Sequence, residues 1–136
     1  MIVSGKTHQG MVRKNNQDAF LTILHEEKNN ALLVVCDGMG GAKAGNIAST
    51  IAAHTFADKV EELFSCTSRP SVRALRIAVD RANEAVFRES ISDPDLEGMG
   101  TTLVAAVIDG RHATLINIGD SRAYRIRGDD ITQLTL

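Results

Sequence analysis

Ala19-Phe-Leu-Thr-Ile-Leu-His-Glu-Glu-Lys-Asn-Asn-Ala-Leu-Leu-Val-Val-Cys-Asp-Gly-Met-Gly-Gly41 is the stretch that decides the fold. Two apolar runs, residues 19–24 and 31–36, flank the polar cluster Glu26 to Asn30, a pattern that predicts two antiparallel strands and their turn. The second run ends directly in Asp37, followed by Gly38, Gly40 and Gly41. A carboxylate fixed at a strand end, beside backbone that a ligand can approach closely, is a site-like position. Taken alone, the same aspartate is as readily a turn residue. Known glycine signatures fail here: Lys43 is followed by Ala44 rather than the Ser or Thr of a P-loop, and it occupies the last glycine's place in a G-x-G-x-x-G read from Gly38. Nucleotide cradling is therefore not indicated. Upstream, Ile2 to Thr7 is expected to add a further strand.

Downstream the periodicity changes. Ile47, Ile51, Phe56, Val60 and Leu63 recur at helical steps and predict a helix near 44–65. A second helix is expected over 71–91, with Pro70 at its start, Leu75, Val79, Ala82 and Val86 on its core face, and Arg73, Arg76, Arg81, Glu84 and Arg88 on its other sides. From Thr101 the pattern is extended, with turn signals at Asp109-Gly110, Gly119-Asp120 and Gly128-Asp129-Asp130. Three or four strands in an antiparallel meander are expected there. Strands, two helices, then strands give an α+β fold with helices layered on a mainly antiparallel sheet. Ile131 to Leu136 alternates like a strand and stops without a turn, so the expectation is one domain over 1–136 that is the N-terminal part of a larger one. Its exposed sheet edges could pair with another copy.

Composition bounds the function classes. With 136 residues, 43% hydrophobic and 24% charged, the chain has the make-up of one globular domain rather than of a disordered, collagenous or membrane-spanning segment. Fifteen basic against seventeen acidic residues give a net charge of −2, which offers neither a nucleic-acid footprint nor a polybasic membrane patch. No run approaches the roughly 20 apolar residues of a membrane span, and Met1-Ile-Val-Ser-Gly lacks the form of a signal peptide, so a cytoplasmic location and no membrane insertion are expected. Cys36 and Cys66 lack metal-type spacing and are expected as free thiols. His8, His25, His54 and His112 are scattered, and no His/Cys cluster suggests zinc.

Three further residues could carry chemistry. Asp18 precedes the first apolar strand, within the polar segment Arg13-Lys-Asn-Asn-Gln-Asp18. Arg13 offers a planar fork suited to phosphate, although a lone loop arginine is more often a solvated cation. Asp120 lies between two expected strands, where a hairpin-turn role competes with a site role. If Asp18, Asp37 and Asp120 converge, carboxylates about 4 Å apart repel by on the order of 4 kcal/mol, so a cation must sit among them. Oxygen-only donors select hard ions such as Mg²⁺ or Mn²⁺.

Three segments together resemble the bacterial branch of the metal-dependent protein phosphatases, the protein phosphatase 2C or PPM type. They are Gly10-Met-Val-Arg-Lys-Asn-Asn-Gln-Asp-Ala-Phe20, Val34-Val-Cys-Asp-Gly-Met-Gly-Gly41 continuing to Ser49, and Gly100-Thr-Thr102 followed by Gly119-Asp-Ser-Arg-Ala-Tyr124. The resemblance implies an antiparallel β-sandwich flanked by helix pairs in α-β-β-α layers. It gives Asp37 the role of bridging two Mn²⁺ or Mg²⁺ ions with the Gly38 carbonyl as a further ligand. Asp18 would act through metal-bound water, Asp120 would help hold a third ion, and Arg13 would bind the substrate phosphate. The chemistry implied is two-metal hydrolysis of phosphoserine and phosphothreonine on proteins. The implied partners are phosphorylated proteins and an opposing Ser/Thr kinase.

The sequence departs from the family pattern at Gln17, where a glutamate is usual, at Ala42, where a histidine is usual, and at Asn46, where a glutamate is usual. The family's two further ligand aspartates, in Ser-Asp-Gly and Asp-Asn motifs, belong downstream of Leu136, so the 136-residue chain is expected to bind metal weakly and turn over little. The alternative reading is a non-catalytic phosphoprotein-binding or regulatory module built on the same fold. A haloacid-dehalogenase-like nucleophile at Asp37 is disfavoured because Met39 stands where the second acid belongs.

Overall fold

The computed structural model describes residues 1–41 and 43–136; Ala42, one of the departures noted above, lies outside the described residues. In chain order the elements are β1 (Asp18–His25), β2 (Asn30–Met39), α1 (Ala44–Cys66), α2 (Val72–Ser92), a 3₁₀ turn (Pro94–Leu96), β3 (Gly100–Thr101), β4 (Leu103–Asp109), β5 (His112–Ile118), β6 (Tyr124–Arg127) and β7 (Asp130–Gln133). The larger sheet has the order β1-β2-β4-β5, entirely antiparallel, with β3 pairing the far end of β2. β6 and β7 form a separate two-stranded sheet. The fold is thus α+β, antiparallel sheets with two helices.

Strand alternation sorts the side chains. Leu32, Val34 and Cys36 of β2 and Leu103, Ala105 and Val107 of β4 face the helices and are buried, while Phe20 and Val35, cross-strand partners on the opposite face, are exposed. α1 packs on β2, and α2 packs on α1. The face of α1 that closes the core is a stripe of small residues, Ala44, Ala48, Ala52, Ala53 and Ala57, with Phe56, Val60 and Phe64 filling the space between. Ile47, Ile51 and Leu63, which mark the helical period in the sequence, are only partly buried at the margin of this stripe. Alanines let the helix lie close to the sheet, so of the large side chains that mark the period Phe56 and Val60 enter the core while Ile47, Ile51 and Leu63 sit at its flanks. α2 begins one residue later than expected. Ser71 is its N-cap, with Oγ accepting from the Ala74 amide at 3.2 Å, and Pro70 immediately precedes the cap.

The structure corrects four sequence expectations. Ile2 to Thr7 forms no strand; the segment lies over the outer side of β1, with Gly5 against the Phe20 ring. β2 does not stop at Cys36 but runs on to Met39, because Gly38 and Met39 pair with Thr101 and Gly100 of β3. Asp37 is therefore inside a strand and not in a turn. Gly119-Asp120 is not a hairpin turn, since β5 pairs with β4 and β6 with β7, which divides the expected meander into two sheets. The last strand is Asp130–Gln133 rather than 131–136, after which Leu134 and Thr135 bond back to Ala123. Both cysteines are free as expected, and burial pushes the Cys36 thiol up to about 12. Among the described residues no helix is long and apolar enough to cross a membrane.

Candidate active site

β1 and β2 are in a register that sets Asp18 directly opposite Asp37. Both belong to the face that carries Phe20 and Val35, so the two carboxylates stand side by side at the end of the sheet, away from the helices. The Asp18 carboxyl is raised above the usual carboxylate range by partial burial, by the charge of Asp37 and by a hydrogen bond with Asp37, while Arg13 opposes the rise. Asp18 N–H donates to Asn16 Oδ1 at 3.1 Å, and Asn16 Nδ2 donates to Thr7 Oγ1 at 2.7 Å.

Backbone crowding fixes the strand end after Asp37. A Cβ on Gly38 would lie 1.9 Å from the carbonyl oxygen of Gly45, in the first turn of α1, and a Cβ on Gly45 would lie 2.8 Å from the Gln17 side chain. These two glycines allow β2, the start of α1 and the approach to β1 to meet at van der Waals distance. The same junction is tied by hydrogen bonds: Gly38 N–H donates to the Gln17 carbonyl at 3.0 Å, and Gln17 Nε2 donates to the Gly41 carbonyl at 3.2 Å. Gln17, read from sequence as a lost carboxylate, therefore works here as an amide donor that a glutamate could not replace.

Arg13, Asp37, Gly38 and Asp120 line one open cleft of about 730 Å³, together with Lys14, Gln17 and Thr102. Asp18 lies on an adjoining hollow of about 440 Å³, beneath residues 4–8 and over the outer face of the sheet. Four of the five sequence-predicted site residues thus share the cleft, and the fifth adjoins it through its pairing with Asp37. Among the described residues no three His, Cys, Asp or Glu side chains are close enough together to hold a metal ion. The donors fit a hard divalent cation in kind: they are oxygens only, and the Asp18 and Asp37 carboxylates stand side by side across the strand pair. They do not complete its coordination shell. Lys14 and Thr102 also line the cleft, and neither is marked as a site residue by its sequence context. Thr102 stands in the quoted Gly100-Thr-Thr102 motif, but a threonine between strands carries no signal of its own.

The chain matches the family model described as Protein phosphatase 2C over residues 5–136, and it belongs to that family. It is 33% identical over 131 residues to the Serine/threonine phosphatase stp of Listeria welshimeri, covering 96% of this chain and 52% of the relative. It is 37% identical over 134 residues to the Serine/threonine protein phosphatase PstP of Mycobacterium tuberculosis, covering 97% of this chain and 24% of that protein. The crystal structure of the Mycobacterium tuberculosis phosphatase superposes with a TM-score of 0.77 at 36% identity, over 93% of this chain and 50% of that one. A structure of the PstP catalytic domain in complex with two manganese ions gives 0.75 at 37% identity, over 93% of this chain and 51% of that one. The chain spans about half the length of the first curated relatives it matches, 52% in each.

Proposed function

We propose that these residues are part of a Mn²⁺- or Mg²⁺-dependent protein serine/threonine phosphatase. One observation carries the reading: Arg13, Asp37, Gly38 and Asp120, from three separate segments, line a single cleft. Arg13 supplies a planar, permanently charged fork that orients a phosphate monoester by paired hydrogen bonds. Asp37, with Asp18 beside it and the Gly38 carbonyl next in sequence, would hold the divalent ions, and Asp120 would contribute to a further one. When bound, such ions lower the pKa of a water molecule and supply the nucleophile for attack on phosphorus. The protein's own part is to bind and orient the phosphate, through Arg13 and Lys14, and to hold Asp37 in the same cleft. Phosphorylated proteins are the substrates this reading implies, and a Ser/Thr kinase is its opponent.

The test is a phosphothreonine-peptide assay on the intact protein with Mn²⁺ titrated in, comparing wild type with Arg13→Ala. The expected result is metal-dependent release of phosphate, with KM raised about tenfold or more in the variant, the loss of one charge-assisted contact. Saturable peptide binding without phosphate release at any Mn²⁺ or Mg²⁺ concentration would instead establish a non-catalytic phosphoprotein-binding module.

A further inference from the structure

Thr102 lies between β3 and β4, and it holds a single residue from two sides. Its amide donates to the Asp37 carbonyl at 2.9 Å, and its Oγ1 accepts from the Asp37 amide at 2.9 Å. The main chain on both sides of the Asp37 side chain is thereby fixed by one partner, 65 positions away in sequence. The same Oγ1 is 2.8 Å from Ser121 Oγ, the hydroxyl of the residue after Asp120. The Thr102 methyl also abuts the bend before Asp120: Gly119 has φ +94°, and a Cβ on it would lie 2.7 Å from Thr102 Cγ2. Asp37 and Asp120 come from different strands' ends and share a cleft that Thr102 also lines.

We propose that Thr102 is a positioning residue that sets the placement of Asp37 relative to Asp120, with its hydroxyl as the link to both. A hydroxyl has one hydrogen and two lone pairs. One lone pair accepts the Asp37 N–H, and the oxygen still shares a hydrogen bond with Ser121. Valine keeps the volume and the methyl under Gly119 but breaks both bonds. Serine keeps both bonds and loses the methyl. The hydroxyl account therefore predicts an impaired valine and a near-normal serine variant, where a mere packing role predicts the reverse order.

The placement of the two carboxylates is a property of the polypeptide, and its value to function rests on the phosphatase reading above. The experiment compares wild type, Thr102→Val, Thr102→Ser and Ser121→Ala in the intact protein. It measures amide hydrogen exchange at Asp37 without metal, Mn²⁺ affinity by calorimetry, and Mn²⁺-dependent hydrolysis of para-nitrophenyl phosphate. Thr102→Val is expected to speed exchange at the Asp37 amide about five- to tenfold, the loss of one hydrogen bond. It is also expected to weaken Mn²⁺ binding on the order of tenfold, as loss of a ligand's supporting partner does. Thr102→Ser is expected to restore both to near the wild-type values, and Ser121→Ala to weaken Mn²⁺ binding by less while leaving Asp37 exchange unchanged.

The proposal is overturned if Thr102→Val matches wild type in exchange and affinity, or if Thr102→Ser is as impaired as Thr102→Val. Should Thr102→Val fail to fold, Thr102→Ser and Ser121→Ala decide: a serine variant with fast Asp37 exchange, or an alanine variant with unaltered Mn²⁺ affinity, overturns it. A wild-type protein without hydrolysis but with a protected Asp37 amide would defeat the phosphatase reading and leave the Asp37 clamp standing, so the two failures are distinguishable.

Discussion

Asp18 and Asp37 face each other across a strand pair, and the partial burial of Asp18, with the charge of Asp37 beside it, gives the site a pH signature. The folded chain keeps the Asp18 proton to higher pH than the unfolded chain does, because burial and Asp37 raise its carboxyl. A group that binds its proton more tightly when folded favours folding at low pH, and that contribution is lost as pH rises through the raised value. Metal-free stability is therefore expected to fall as pH climbs from the ordinary carboxylate range through the raised one. Asp18→Asn should remove that fall, and Mn²⁺ should offset it in wild type; thermal midpoints measured with chelator and with Mn²⁺ check both. Gly38→Ala is expected to destabilise the protein by about 3 kcal/mol in a urea titration, because its Cβ would meet the Gly45 carbonyl at 1.9 Å and backbone has little room to yield. At this scale the strand leading into Asp37 was legible from its apolar run, but Asp37 taken alone read as readily as a turn residue, and only the three family-like segments together singled it out. The reason for Gly38 was not legible. Its constraint is a contact with Gly45 in α1, which no local turn rule anticipates.

Among the elements, α1 is held by its alanine stripe and by Phe56, which is fully buried in the core. Phe56→Ala should cost about 3–5 kcal/mol in chemical denaturation and leave a cavity in the core. Ser71→Ala should cost about 1 kcal/mol through loss of the N-cap bond to Ala74, with no effect on the cleft. Both helices were legible to within a residue or so, because sustained 3.6-residue periodicity and a Pro-Ser start are strong local signals. The two ends of the chain were not. Ile2 to Thr7 has strand-like composition, yet it packs across the Phe20 ring without a pairing partner. Gly119-Asp120 resembles a hairpin turn, yet the chain leaves the larger sheet there, because Thr102 holds the bend from the side through Ser121 and Gly119. Pairing of this kind is decided by residues far apart in sequence, which turn signals do not encode.

For the whole molecule, one helix pair covers one face of the larger sheet, while the opposite face, with Phe20 and Val35 exposed, ends in the Asp18–Asp37 pair. The cleft beside that pair collects Arg13 from before β1, Asp37 and Gly38 from β2, and Asp120 from after β5, so that the sheet's topology assembles what the sequence scatters. The resemblance to the phosphatase family was legible from the same three segments, because their glycines and acidic residues are constrained by contacts as well as by chemistry. The central claim is that Asp37 is the carboxylate on which divalent-metal-dependent phosphate release depends. Its most direct test is the rate of Mn²⁺-dependent phosphate release from a phosphothreonine peptide by the intact protein and by its Asp37→Asn variant, each shown to be folded by circular dichroism. The account predicts metal-dependent turnover in wild type and a loss on the order of 100-fold or more in the variant. A folded Asp37→Asn protein that releases phosphate at the wild-type rate would contradict it.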